Sequence, residues 1–269
     1  MTDVWTNFND LDSQMQQRLA EVLETRGSAS SQQAMRQAFL SQIEFPKRAR
    51  VLDVGCGTGT LTRLLGRWPD VASVTGVDPA THLIDRARSL ARGLDHVDFR
   101  EAKGGSLPFD VPAFDVVTFD SVLSHIDDPE RALGEALRVL RPGGQLGIFD
   151  GDYSTTTVAI GEHDPLQPCV DAMMASSVND RWIVRRLPAL VRRLGFEVIG
   201  LRSHGFVDDS DATYMLTVVD RGVEILRTAG RIADATAAAL KAEARHRVER
   251  GSFFGHIAYA SLTARRPIA

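Results

Sequence analysis

The stretch that decides the fold reads Val51-Leu52-Asp53-Val54-Gly55-Cys56-Gly57-Thr58-Gly59. Its first four residues are nearly all apolar, as in a strand of a parallel sheet that is buried on both faces. The glycines that follow can adopt positive φ angles and let a ligand approach the main chain closely. A helical pattern begins at Thr60, so the free amides of a helix start would favour an anionic group at the same turn. The segment therefore predicts a strand, a ligand-binding turn and a helix.

Strands and helices alternate after this turn. Apolar runs predict strands over 71–77, 97–101, 114–119 and 145–149, and helical periodicity predicts helices over 60–68, 81–93 and 128–140. This alternation predicts βαβ units, a parallel sheet and helices on both of its faces.

The two ends of the chain extend this core. Helical patterns cover 10–25 and 30–42 before it, and 164–178, 181–194, 211–229 and 232–249 after it, with strands predicted over 196–201 and 252–264. We therefore expect a fourfold division of the chain. It comprises an N-terminal helical lid (1–45), a Rossmann-like core (46–204), a helical cap insertion (205–250) and the final strand of the core (251–269).

Composition narrows the class of partner. The net charge is −4, with 43% hydrophobic and 25% charged residues, an ordinary globular balance. Nucleic-acid binding usually needs a basic surplus, so we expect no nucleic-acid partner. Two cysteines without a CxxC pair predict neither a disulfide framework nor a metal site. No signal peptide and no run of ~20 apolar residues is found, so we expect a cytoplasmic protein without a membrane partner. A homodimer is left open.

An acidic residue accompanies the glycine turn at a suitable distance. Asp78 follows Gly59 by 19 residues and stands at the end of the next predicted strand, before Pro79. A carboxylate in this place suits hydrogen bonding to both hydroxyls of a ribose. The alternative is that Asp78 serves only to cap the helix that follows.

Four motifs in order resemble the class I S-adenosylmethionine-dependent methyltransferases, especially the small-molecule branch with quinone and arsenite methyltransferases. The motifs are 51–59, Val77-Asp78-Pro79, Leu107-Pro108-Phe109 followed by Phe114-Asp115-Val116-Val117, and Arg138-Val139-Leu140-Arg141-Pro142-Gly143-Gly144. The resemblance covers about residues 48–152. It implies a Rossmann-like, seven-stranded, mostly parallel sheet with an antiparallel last strand. It also implies methyl transfer from S-adenosylmethionine to a small-molecule acceptor, with S-adenosylhomocysteine as product.

The resemblance also implies which residues hold the cofactor. The glycine turn holds its methionine part, Asp78 holds the ribose, Leu83 packs on the adenine, and the residues after the fourth strand border the methionyl end. The full expected set is Gly55, Cys56, Gly57, Gly59, Asp78, Pro79, Leu83, Lys103, Gly104, Asp120 and Ser121.

Lys103 departs from the family pattern. The family usually has an acidic residue here that accepts a hydrogen bond from the adenine amino group, and an ammonium group has no acceptor. A backbone carbonyl could replace it, or Glu101, which lies on the same strand face. Otherwise cofactor affinity is reduced, or Lys103 points into solvent. The Gly104 amide can still donate to the ring, and we expect reduced but retained binding.

Catalytic groups are expected at the carboxyl ends of the strands, where ligands bind in open α/β sheets. Methyl transfer to a hydroxyl needs a base, and histidine is the natural choice near neutral pH. We predict His256 or His204 as that base, and Asp152 or Tyr153 as the group that orients the acceptor. Each histidine has a structural alternative, and His125 is interpreted as wall or scaffold.

Competing functions remain at this point. The first is a small-molecule O-, N- or C-methyltransferase. The second is a methyltransferase-like protein that binds the cofactor structurally and catalyses a reaction such as cyclisation, or acts as a binding protein. The third modifies macromolecules, and it would have an Asn-Pro-Pro-Tyr-type motif where this chain has Phe119-Asp120-Ser121-Val122.

Overall fold

A seven-stranded sheet forms the centre of the computed structural model, which describes residues 4–5, 7–208 and 212–268. Its strands are β1 (Ala49–Val54), β2 (Val71–Asp78), β3 (Val97–Glu101), β4 (Phe114–Asp120), β5 (Leu140–Thr157), β6 (Glu197–Asp208) and β7 (Gly255–Arg265). Their order is β3-β2-β1-β4-β5-β7-β6. The pairs among β1 to β5 are parallel, whereas β7 runs antiparallel to both β5 and β6. The predicted fold class is thereby confirmed.

Helices cover both faces of the sheet in the predicted chain order. They are α1 (Ser13–Ser28), α2 (Ser30–Leu40), α3 (Thr60–Leu65), α4 (Thr81–Leu90), α5 (Pro129–Val139), α6 (Gln167–Ser177), α7 (Ile183–Arg193), α8 (Thr213–Thr228) and α9 (Asp234–Glu249). α1 and α2 precede β1, and α8 and α9 lie between β6 and β7. α1 begins after Asp12, whose carboxylate accepts a hydrogen bond from the Met15 amide and so caps the helix.

Two strands are longer than the sequence predicts. β5 was expected over 145–149 but runs from Leu140 to Thr157, because Leu140 pairs with Phe114 of β4 and β7 pairs with the later part as far as Thr157. The expected turn is present within β5, since Gly143 has a φ of 79°. β6 likewise extends to Asp208, opposite Gly255 of β7. Pairing between distant strands fixes these ends, and local composition does not reveal it.

Successive residues of β1 point into different apolar layers. Val51 belongs to the layer that includes residues of α2, α3, α6 and α8, whereas Leu52 belongs to the layer that includes α5 and α7. Both side chains are fully buried. Strand side chains alternate between faces, so a strand covered on both sides must be apolar throughout. This explains the continuous run that identified β1 in the sequence.

The described residues lack both a membrane-spanning helix and a metal-binding cluster. No helix in this part of the chain has the length and apolar character needed to cross a membrane. Within the same residues, no group of three or more His, Cys, Asp or Glu side chains is arranged to hold a metal ion.

Candidate functional site

A cavity of about 840 Å³ lies beyond the carboxyl ends of β1, β2 and β4. Pockets that bind cofactors or other small ligands typically measure ~300–1,000 Å³. All residues predicted to hold the cofactor line this cavity except Gly59. The fold therefore brings together side chains that are up to 66 positions apart in the sequence, from Gly55 to Ser121.

The glycine turn is built from left-handed backbone. Gly55, Gly57 and Gly59 have φ angles of 70°, 54° and 81°. A Cβ on Gly55 would stand 2.5 Å from the side chain of Val122, which lies in the loop after β4. A Cβ on Gly59 would stand 2.8 Å from the ring of Phe99. Gly59 therefore permits close packing behind the turn, which is why it does not line the cavity.

The carboxylate of Asp78 is hydrogen-bonded to the glycine turn. It accepts hydrogen bonds from the Gly57 and Ala80 amides, both at 2.9 Å, and only 8% of the residue is exposed. Burial raises the pKa of Asp78 to about 6, although these two amides oppose the rise. Each carboxylate oxygen keeps a lone pair for a further donor. Asp78 thus anchors the start of α4 and can also receive ligand hydroxyls.

Asp53 is a site residue that the sequence reasoning missed. It lines the cavity, and its carboxylate accepts hydrogen bonds from the Thr62 hydroxyl at 2.6 Å and the Thr118 hydroxyl at 2.9 Å. Burial raises its pKa to about 7, with Thr62 opposing this rise. An acidic residue within an otherwise apolar buried strand was the signal that could have identified it.

At the end of β4, Asp120 is paired rather than free. The Nε of Arg36, on α2, donates to Asp120 at 2.5 Å, and the two side chains are only 3% and 9% exposed. The next residue, Ser121, has a φ of 57°, an uncommon conformation for a residue other than glycine. Such backbone is frequent where a chain is shaped around a ligand. Arg36 was not predicted, because it lies 84 positions before its partner.

The N-terminal segment closes one side of the cavity. Trp5, Phe8 and Asn9 line it, and the Asn9 side-chain amide donates to the Pro79 carbonyl at 2.9 Å. Phe8 is 2% exposed and packs in one cluster with Leu83. Residues 1–3 and 6 of the predicted lid lie outside the described residues. That the segment opens and closes as a lid stays a prediction.

Lys103 lines the cavity together with Gly104, whereas Glu101 does not. The Glu101 carboxylate instead accepts a hydrogen bond from the Thr81 hydroxyl at 3.0 Å, towards α4. This contact gives no support to Glu101 as the replacement for the family's usual acidic residue. Carboxylates that the sequence reasoning did not single out also line the cavity, at Asp10, Asp127 and Asp128.

A second cavity of about 30 Å³ shares part of its wall with the first. Trp5, Leu23, Arg26 and His125 line both cavities, and Tyr153 lines the smaller one. Of the four residues predicted to be catalytic, Tyr153 is therefore placed at a cavity. The sequence reasoning assigned no function to Arg26, and it treated His125 as wall.

The other three predicted catalytic residues line neither cavity. The ring of His204 bonds to the Ser261 hydroxyl at 2.8 Å, and burial together with Arg202 lowers its pKa. Asp152 forms an ion pair with Arg185 at 2.7 Å. His256 lies in β7 with its ring stacked on that of Phe254. These placements give no support for contact with a ligand in either cavity.

The larger cavity is lined by more carboxylates than cationic groups. Its acidic residues are Asp10, Asp53, Asp78, Asp120, Asp127 and Asp128, and its basic residues are Arg26, Arg36, Lys103 and Arg131. Acidic walls raise the local concentration of cations. The arrangement suits a ligand that carries hydroxyl donors and positive charge.

Residues 52–148 match the family described as "Methyltransferase domain". A demethylmenaquinone methyltransferase from Thermus thermophilus is 43% identical over 103 residues, which are 38% of this chain and 46% of that protein. The chain spans about half the length of the first curated relatives that it matches.

Solved structures share the fold. The 4+2 cyclase SpnF has a TM-score of 0.57 and 27% identity, with 90% of this chain and 85% of that chain covered. Geranyl diphosphate C-methyltransferase from Streptomyces coelicolor, in complex with S-adenosylhomocysteine, has a TM-score of 0.55 and 18% identity. That match covers 87% of this chain and 79% of that one, and at this identity it concerns the fold.

Proposed function

Because the chain carries a class I, S-adenosylmethionine-dependent methyltransferase domain, we propose that it transfers a methyl group from S-adenosylmethionine to an oxygen, nitrogen or carbon atom of a small molecule. The observation that carries this proposal is the wall formed by the glycine turn and the Asp78 carboxylate. The quinone methyltransferase among the relatives supports a small-molecule acceptor. The same proposal includes a cytoplasmic location and a homodimer, and it includes no nucleic-acid partner.

The residues present fit the proposed cofactor. Asp78 offers two carboxylate oxygens to the ribose hydroxyls, and the left-handed turn at Gly55 and Gly57 exposes backbone to the methionine part. Leu83 and Phe8 supply apolar surface for the adenine. The surplus of aspartates suits the positive charge of the sulfonium and ammonium groups.

When bound, S-adenosylmethionine supplies a methyl group already activated by its sulfonium leaving group. The chain then has to orient the acceptor, exclude water and, for a hydroxyl acceptor, remove a proton. The N-terminal segment with Trp5 and Phe8 covers the cavity and limits access of water. His125 lines both cavities and contacts the ring of Tyr153, so the role of base falls to His125 rather than to His204 or His256.

Cyclisation is the second candidate function. It is favoured by the similarity to SpnF, whose structure is described as that of a 4+2 cyclase and aligns over 90% of this chain at 27% identity. In that case the same cavity would bind the cofactor without consuming it. Lys103, at the place of the usual adenine acceptor, is compatible with either function.

Calorimetric titration with S-adenosylmethionine tests the shared premise, and a screen of acceptors with methyl-labelled cofactor tests transfer. We expect binding and the appearance of label in a small-molecule product. Binding with unchanged cofactor and an altered acceptor skeleton would favour cyclisation. Absence of heat at millimolar cofactor would contradict both candidates.

A further inference from the structure

The small cavity differs in charge from the large one. Among the residues that line it there is no Asp or Glu, but there are Arg26, Arg221 and His125. Tyr153 and Tyr214, which each carry a hydroxyl group, also line it. The remaining wall is mostly apolar, with Met173 and Met174 among its members. The compartment that adjoins the proposed cofactor site is therefore rich in hydrogen-bond donors and lacks a carboxylate.

Arg26 has no acidic partner of its own. It forms no ion pair with any residue that the structure describes, and its Nε atom is buried without a hydrogen-bond partner. The Asp120 carboxylate interacts electrostatically with Arg26, but it already forms an ion pair with Arg36. Arg26 as a whole is half-buried, but a buried donor nitrogen without an acceptor is costly, and native proteins usually provide one. The unmatched charge faces the junction of the two cavities.

One unpartnered hydroxyl group lies in the same cavity wall as this arginine. The hydroxyl oxygen of Tyr153 is buried without a hydrogen-bond partner, and the residue is 3% exposed. Tyr153 interacts electrostatically with Arg26, as does Tyr214. Burial raises the pKa of Tyr153 well above its ordinary value, although Arg26 opposes the rise, so its hydroxyl remains a donor at neutral pH. Buried polar atoms are almost always satisfied, and the Tyr153 hydroxyl therefore points to a polar ligand.

We propose that the methyl acceptor carries an oxyanion, a phenolate, enolate or carboxylate, on an apolar body, and that Arg26 binds the oxyanion with the Tyr153 hydroxyl as a second donor. This inference rests on the proposed function, because it places the acceptor beside the sulfonium group. With S-adenosylmethionine in the larger cavity, an anion at Arg26 would be attracted by the guanidinium and by the positive charge of the sulfonium. The small cavity, of about 30 Å³, has room for the oxyanion alone, so the apolar body lies in the larger cavity, which Arg26 also lines.

The test uses 4-nitrophenol with the whole protein, because its phenolate absorbs visible light and its phenol does not. We expect the protein to bind the phenolate and to make the visible band appear at a lower pH than in buffer. In Arg26→Gln, affinity should fall about 10- to 100-fold through loss of a charged hydrogen bond. Arg26→Lys should recover part of the loss. Arg18→Gln, an exposed position on the same helix, is the matched control and should bind as wild type does.

Nitrobenzene is the neutral counterpart of the probe, and benzoate and phenol are the competitors. Stronger displacement by benzoate assigns a carboxylate, and stronger displacement by phenol assigns an acidic hydroxyl. The inference would be overturned if nitrobenzene bound as tightly as the phenolate, or if Arg26→Gln bound the phenolate as tightly as wild type. It would also be overturned if the wild-type protein bound no probe. Circular dichroism and S-adenosylmethionine titration of each variant show that the fold and the neighbouring site persist. Phenolate binding without any cofactor binding would refute the proposed function alone.

Discussion

Replacement of Asp78 by asparagine tests the cofactor site most directly. The change keeps the shape of the side chain but removes the charge and one acceptor oxygen. In the structure each oxygen already accepts from a backbone amide, Gly57 or Ala80, at 2.9 Å. A hydrogen bond to a charged group contributes about 1.5–3 kcal/mol. Loss of one ribose contact and of charge assistance to the other should cost about 2–4 kcal/mol, which raises Kd about 30- to 1,000-fold.

Folding stability should change much less than affinity. Burial lifts the pKa of Asp78 from 3.8 to about 6, so the ionised carboxylate costs the folded protein about 3 kcal/mol at pH 8. Asp78→Asn removes that cost but loses one backbone hydrogen bond, which costs about 1–3 kcal/mol. The two changes nearly cancel, and Tm should shift by only a few degrees. Affinity loss without unfolding is therefore the expected signature.

The pH dependence gives a second readout. Wild-type affinity should be constant well above pH 6 and fall about tenfold per pH unit below it, because the protonated carboxyl accepts ribose donors poorly. Asp78→Asn should show no such fall between pH 5 and 8. Calorimetric titration measures both, with Asp85→Asn, an exposed position on α4, as control. An affinity within threefold of wild type, or a pH slope that survives in Asp78→Asn, would refute the proposed contact.

Three further predictions concern the walls of the cavity. The free energy of unfolding of the wild type should fall by up to about 4 kcal/mol as the pH rises from about 4 to 7, because the raised pKa of Asp53 makes the folded state hold its proton more tightly. Asp53→Asn should abolish this fall in urea unfolding, and an unchanged slope would contradict the prediction. Gly55→Ala should lower the free energy of unfolding by about 2–5 kcal/mol in the same assay, because φ is 70° and the Cβ would stand 2.5 Å from the side chain of Val122. Gly93→Ala is the control, since φ is 87° but nothing lies near the Cβ, and the difference between the two variants measures the effect of the contact with Val122. Phe8→Ala should speed S-adenosylmethionine release at least about tenfold in stopped-flow fluorescence, by loss of buried apolar contact, and equal release rates would remove the covering role.

Local patterning made the sheet, and the edge of it that borders the cavity, predictable. β1 is buried on both faces, and this forces an apolar run that any reader of the sequence can recognise. The positive φ angles at Gly55 and Gly57 require residues without a side chain, so the turn is visible as well. The ends of β5 and β6 were less predictable, because pairing with β7 sets them.

The candidate catalytic residues show where sequence reasoning fails. His204 and His256 were chosen for their positions near strand ends, but β6 is longer than expected and contains His204, and neither histidine lines a cavity. Tyr153 does reach one, and so does His125, which was treated as wall. A strand end predicts which edge a residue occupies, but it does not predict the direction of its side chain.

The sequence by itself determined the parallel sheet, the glycine turn and the acidic residue that follows it, because each depends on backbone geometry that local residues dictate. Only the tertiary structure decided that Arg36 binds Asp120 and that Arg26 lies unpaired between two cavities. Those two arginines come from helices that precede the core, and their neighbours are set by packing across more than 80 residues. The sequence does not show which acidic residue an arginine pairs with, so the electrostatics of the site are determined by the fold.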